Sequence, residues 1–216
     1  MIKGFIFDMD GVIIDNHSFH YSAWFKLCEE IGHPITEDYY RDHFNGKKSE
    51  DILRMLDSSY TEDDIQRLMD QKESLYRKTY GPHQVTAPGL LEFLSSLKSA
   101  GYKMALGTSA PVPNVLFTID GLQLRSYFDL IIDGSMVKKG KPDPEVYLKC
   151  IEGLGLEASE CVVFEDAPAG LLSARRAKAR RVGVITSHQK EELTEAEEFI
   201  FNFENLTADI VQDWFT

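Results

Sequence analysis

Four short clusters in this 216-residue chain combine residue types that do chemistry. The first, Asp8-Met9-Asp10-Gly11-Val12, sets two carboxylates two residues apart, directly after the apolar run Gly4-Phe5-Ile6-Phe7. Carboxylates just past a buried strand are costly unless a metal, hydrogen bonds or a function compensates. Taken alone, the pair also fits an acidic turn. A calcium loop is excluded, because it needs glycine at its sixth place and glutamate at its twelfth, where this chain has Gly11 fourth and Phe19 twelfth.

The second cluster is Leu106-Gly107-Thr108-Ser109-Ala110, in which a hydroxyl and backbone N–H groups at a strand end could cradle an oxyanion or phosphate. Ser and Thr in such places also serve as simple caps. The third, Lys138-Lys139-Gly140-Lys141-Pro142-Asp143-Pro144, is the densest positive charge in the chain. Lys141, between a glycine and a proline, is the candidate to bind phosphate as a point charge; solvated loop lysines are the bland alternative. The fourth is Val162 to Gly170, where Glu165 and Asp166 end an apolar run. Hard carboxylate oxygens suit Mg²⁺, and Asp166 with Asp8 would supply them.

Each cluster follows a short apolar run of strand length. Such runs lie at Lys3 to Phe7, Lys103 to Leu106, Leu130 to Ile132, Cys161 to Phe164, Arg181 to Ile185 and Phe199 to Phe201. Helical patterns separate them, as at Leu90, Leu91, Phe93, Leu94 and Leu97 after Pro88-Gly89, and at Glu145 to Leu154. Strands alternating with helices predict an α/β fold, a doubly wound, Rossmann-like parallel sheet. Between Val12 and Pro82 the alternation stops, and helical segments run over Phe19 to Ile31, Ser49 to Leu56 and Thr61 to Tyr80. We therefore expect an α/β core of residues 1–14 and 83–216, with an α-helical cap domain of residues 15–82 inserted after the first strand. Ligands in open α/β sheets bind beyond the carboxyl ends of the strands, so such an insert would serve as a lid. Its hinges would fall near Val12 to Asn16 and Gly81 to Gly89.

The formal net charge is −12, with no basic run to offset it, which disfavours nucleic-acid and anionic-membrane partners. An anionic substrate would then need local cations or a metal. With 43% hydrophobic and 27% charged residues the chain reads as an ordinary globular protein, without repeats or biased tracts. Cys28, Cys150 and Cys161 are odd in number and far apart, which fits a reduced, cytoplasmic setting and not a zinc site. The segment MIKGFIFDMDG is expected to be neither signal peptide nor membrane span. Oligomeric state is not legible; a monomer is compatible with everything above.

In this order and spacing the clusters resemble the haloacid dehalogenase-like superfamily, in its branch with a helical cap after the first motif, over nearly the whole chain. The resemblance implies that Asp8 is nucleophile and metal ligand, and that Asp10 is general acid and base with its backbone carbonyl on Mg²⁺. Thr108 and Lys141 would hold the transferring phosphate, with Ser109 and Asn114 as further phosphate-side candidates. Asp166, with Glu165 beside it, would complete the metal site. Dehalogenases and phosphonate-cleaving relatives lack the second aspartate, so Asp10 points to phosphoryl transfer.

Within the branch the chain looks especially like the β-phosphoglucomutase group and its sugar-phosphate phosphatase relatives. Asp15, His20, Ala23, Trp24, Gly46, Glu50-Asp51, Lys72 and Tyr76 carry that likeness, and it implies that His20 and Lys72 link cap closure to Asp10. Bland readings stand beside it: Trp24 as core packing and His20 as a satisfied helix histidine. The mutases grip a second phosphate with a cap arginine where Ser49 stands and a core Ser-Lys pair where Ala110 and Pro111 stand. Lys47 and Lys48 are the residues that could compensate. Losing those donors would weaken a second phosphate grip by several kcal/mol. The expectation is therefore hydrolysis of a small phosphorylated metabolite, a sugar phosphate, through an aspartyl phosphate. Phosphomutase action is the alternative, and a catalytically silent binding module is disfavoured by intact Asp8, Asp10, Lys141 and Asp166.

Overall fold

A computed structural model of the chain describes residues 1–44 and 49–216. Two compact units divide it, Met1–Asp15 with Gln84–Thr216, and Asn16–His83. In the first unit, strands β1 (Gly4–Phe7), β2 (Lys103–Gly107), β3 (Leu130–Ile132), β4 (Cys161–Glu165), β5 (Arg180–Val184) and β6 (Glu198–Ile200) form one sheet. The second unit carries helices α1 (His17–Glu30), α2 (Glu37–His43), α3 (Ser49–Leu56) and α4 (Glu62–Tyr80). Helices α5 (Leu90–Ser99), α6 (Val112–Gly121), α7 (Glu145–Leu154), α8 (Pro168–Arg176) and α9 (Ala208–Trp214) belong to the first. Among the described residues no helix is long and apolar enough to cross a membrane.

Every pairing in the sheet is parallel, and the order is β3-β2-β1-β4-β5-β6. The strands stand within one residue, at each end, of the apolar runs that predict them. β1 is central and buried throughout, as a strand covered on both faces must be. Its side chains alternate between two packings. Phe5 and Phe7 meet Phe93 of α5 edge-on, and Phe7 stacks on Phe164 of β4 at 5.1 Å. Ile6 instead joins Ala105, Val163, Tyr147 and Cys150 in the cluster under α7. That alternation decides where the next residue, Asp8, points.

The helical unit has its own core of Trp24, Leu27, Phe44, Ile52, Leu53 and Leu68. Each fully buried aliphatic side chain there contributes about 1.5–3 kcal/mol. Trp24 is thus core packing. The Thr61 start signal is realised as a capping box, Thr61 Oγ1 accepting from the Asp64 N–H while Asp64 accepts from the Thr61 N–H. Acids at the first turn of α4 and Arg77 and Lys78 at its last complement the helix dipole. Helix α1 starts two residues before the predicted Phe19. Seven-residue α2, capped by Thr36, is too short to leave a periodic signature in the sequence.

Candidate active site

The register of β1 with β4 pairs Phe7 with Phe164, and the Asp8 N–H donates to the Phe164 carbonyl at 3.0 Å. One further step along both strands sets Asp8 beside Glu165, both on the face toward α7. Two buried carboxylates side by side need a cation. Lys141 supplies it, donating to Asp8 Oδ1 at 2.8 Å and to Glu165 Oε1 at 2.5 Å.

The loop carrying Lys141 is held by backbone bonds. Glu145 Oε2 accepts from the N–H groups of Lys138 and Lys139 at 2.9 and 3.0 Å. From α8, Ser173 Oγ donates to the Asp143 carbonyl at 2.7 Å and Arg176 to the Pro142 carbonyl at 2.8 Å. Glu165 is equally constrained. Its Oε1 also receives the Tyr147 hydroxyl at 2.8 Å, and its Oε2 receives the Ala167 N–H at 3.0 Å. Gly170 makes room for it, since a Cβ there would lie 1.7 Å from Glu165 Oε1.

The Asp8–Asp10 segment turns sharply. Gly11, at φ 75°, donates its N–H to the Ile14 carbonyl at 2.7 Å, and Asp10 bridges Ile14. Asp10 is half-buried, in contrast to Asp8. At the end of β2, Thr108 is buried, its N–H bonded to the Ile132 carbonyl and its Oγ1 accepting from the Ala110 N–H at 3.0 Å. Ser109 is exposed, and Asn114 is buried in the first turn of α6.

Asp8, Glu165 and Asp166 are all buried, and each offers one carboxylate oxygen within 4.8 Å of the others. Burial raises the Asp8 carboxyl well above its usual range against the pull of Lys141, and the charges of Glu165, Asp10 and Asp166 raise it further. Burial works against the Lys141 charge, but Asp8 and Glu165 outweigh it and hold the ammonium protonated above its usual range. Burial and the neighbouring Glu165 likewise push the Tyr147 phenol up. Lys141 thus bonds to two of the three acidic side chains gathered there. A hard divalent cation fits the remaining charge and the all-oxygen donor set. The thiols do not enter; Cys28, Cys150 and Cys161 are free and buried.

Three residues of the site were not legible as such in the sequence. Ser187 and His188 bond to Asp166, and Tyr147 to Glu165. Ser187 and His188 follow β5, so the rule that polar residues at strand ends carry the chemistry could have found them. Tyr147 lies on the apolar face of α7, where an aromatic at helical spacing reads as core.

In the helical unit His20 and Lys72 meet. Lys72 Nζ lies 2.8 Å from His20 Nδ1. The ring stacks on Tyr76 at 3.9 Å, and Lys72 also pairs with Glu73 at 2.8 Å. The Asn16 amide touches both His20 Nε2 and the Tyr76 hydroxyl, at 3.3 and 2.7 Å. Gly46, Lys47 and Lys48 lie outside the described residues.

The family model for haloacid dehalogenase-like hydrolases matches residues 5–184. A phosphorylated carbohydrates phosphatase of Thermotoga maritima is 33% identical over 187 residues, 86% of this chain and 87% of that protein. β-Phosphoglucomutase of Bacillus subtilis is 31% identical over 193 residues, 85% of this chain and 83% of that one. Among solved structures, β-phosphoglucomutase from Clostridium difficile aligns with a TM-score of 0.87 at 28% identity, covering 100% of this chain and 97% of that one. The chain belongs to the haloacid dehalogenase-like hydrolase family. The expectation that it is an enzyme of that family, with an α/β parallel-sheet core, is met.

Proposed function

We propose that the protein is a Mg²⁺-dependent phosphatase of small phosphorylated metabolites, sugar phosphates foremost, acting through an aspartyl phosphate at Asp8. The observation that carries this reading is the buried trio of Asp8, Glu165 and Asp166, with Lys141 bonded to the first two. A phosphate dianion approaching a carboxylate nucleophile needs its charge neutralised where the oxygens will sit. Lys141 provides one positive charge from this chain. Asp8, Asp166, Glu165 and the Asp10 carbonyl would hold Mg²⁺, which would supply further charge neutralisation at the phosphoryl oxygens.

Asp8 then forms a bond to phosphorus as the bond to the leaving oxygen breaks, and Asp10 gives that oxygen its proton. In the second half, water attacks phosphorus, its proton passes to Asp10, and the bond to Asp8 breaks to release inorganic phosphate. Thr108 and Lys141 hold the transferring group, with Ser109 and Asn114 on the phosphate side. The Asn16–His83 unit is assigned the part of a cap selecting substrate, with His20, Lys47 and Lys72 its contributing residues. The name of the Thermotoga maritima relative supports the carbohydrate substrate class. The free, buried thiols and the acidic charge support a cytoplasmic enzyme with neither nucleic-acid nor membrane partners.

A second reading, phosphomutase action, is favoured by the names of the Bacillus subtilis and Clostridium difficile proteins. Against it stand Ser49, Ala110 and Pro111, which offer no cation for a second phosphate. Phosphate release from a panel of sugar phosphates and pyrophosphate, with and without Mg²⁺, tests the first reading. No release from any of them, and no trapped aspartyl phosphate at Asp8, would falsify it. Conversion of β-glucose 1-phosphate to glucose 6-phosphate, primed by a bisphosphate and faster than phosphate release, would establish the second instead.

A further inference from the structure

Asp166 is braced by the turn that follows β5. His188 Nδ1 lies 3.1 Å from the Asp166 carbonyl oxygen and 2.7 Å from Ser187 Oγ. A carbonyl oxygen only accepts, so Nδ1 carries a proton and donates. Ser187 Oγ shares that N–H as an acceptor, and its own proton goes to Asp166 Oδ2. The chain of donors therefore runs in one direction, from His188 through Ser187 to the carboxylate, each bond polarising the next. Thr186 of the same turn donates to the Gly11 carbonyl at 2.7 Å, tying the turn to the Asp8–Asp10 segment.

We propose that Ser187, backed by His188, is a positioning residue of the metal site. Its hydroxyl fixes the rotation of the Asp166 carboxylate, so that one oxygen is presented with those of Asp8 and Glu165 before the ion arrives. Without that bond the carboxylate rotates and must be reordered on each binding event. This inference rests on the metal-dependent reading above. Outer partners of metal ligands are typically worth about 10–100-fold in metal affinity.

Mn²⁺ is the probe, its free concentration read by electron paramagnetic resonance, with Mg²⁺ competing. Ser187→Ala is expected to bind Mn²⁺ about tenfold more weakly than the wild type, while Ser187→Thr, which keeps the hydroxyl, restores binding. His188→Ala is expected to fall between them. Turnover at saturating Mg²⁺ should fall far less than affinity, which a general loss of structure would not produce. If Ser187→Ala does not fold, Ser187→Cys replaces it, being a weaker donor of similar size, and must bind less well than Ser187→Thr. Wild-type affinity in Ser187→Ala, or equal weakening in Ser187→Thr, overturns the inference. Failure of the metal reading looks different: the wild type would not take up Mn²⁺, or Asp166→Asn would bind it as well as the wild type does.

Discussion

The Tyr147 hydroxyl donates at 2.8 Å to Glu165 Oε1, the same oxygen that receives Lys141, and the Lys141 ammonium lies 4.9 Å from the centre of the Tyr147 ring. One tyrosine therefore braces both halves of the Lys141–Glu165 pair. Tyr147→Phe keeps the ring and removes only the donor. A lost bond to a buried carboxylate is expected to cost about 1.5–3 kcal/mol, read by urea denaturation. A change below about 0.5 kcal/mol would show that the hydroxyl contributes nothing to the pair.

Gly170 lies in the first turn of α8, where alanine ordinarily stabilises a helix by up to about 1 kcal/mol. Here the sign should reverse. A Cβ would lie 1.7 Å from Glu165 Oε1, so Glu165 must leave Lys141, Tyr147 and the Ala167 N–H. Gly170→Ala is expected to lose about 1–3 kcal/mol of stability from overpacking, together with most of the turnover. Thermal melts and phosphate release check the two effects, and a variant at least as stable as the wild type would refute the close approach.

Asp10 and Asp8 make separable predictions. Asp10→Asn preserves shape but has no exchangeable acid, and turnover should fall by about 10²–10⁴. Asp8→Asn should abolish formation of the covalent phosphate altogether. Mass spectrometry of protein quenched during turnover distinguishes them, since a phosphorylated Asp8→Asn chain would remove Asp8 from its assigned role.

The thiols supply a pH dependence. Burial pushes Cys28 up to about 11 and Cys150 and Cys161 up to about 12, against an ordinary value of 9.0. Native protein at pH 8 should accordingly resist alkylation that labels all three after unfolding. Because the folded values are raised, their contribution to stability is complete below pH 9 and is lost as pH rises toward 11 and 12. Cys150→Ala should show a shallower loss of stability across that window than the wild type. Parallel slopes would count against the shift.

What the sequence disclosed follows from how each residue signals itself. Asp8, Lys141, Glu165 and Asp166 were legible because polar and charged types interrupt apolar runs at strand ends, and β1, β2 and β4 stand where those runs predict. The bonds among them depend on register, which only the pairing of Phe7 with Phe164 supplies. Tyr147 was hidden because its ring satisfies the helix periodicity of α7, and its hydroxyl finds its partner on β4, which only the packing of α7 on the sheet supplies. Ser187 and His188 were hidden by type, since serine and histidine after a strand are common in any loop. The match of His20 with Lys72 was legible only by resemblance, because the two sit on different helices.

The central place of β1 governs when the protein can become active during synthesis. The strand that delivers Asp8 precedes both of its neighbours in the sheet, which begin at residues 103 and 161. A nascent chain that has emerged only as far as β2 holds Asp8 without Lys141, Glu165 or Asp166. Joining so distant a partner is the slow, non-local part of folding. The cluster of Asp8, Lys141, Glu165 and Asp166 therefore cannot form before β4 has been made, and a chain halted short of β4 lacks two of its three carboxyl groups.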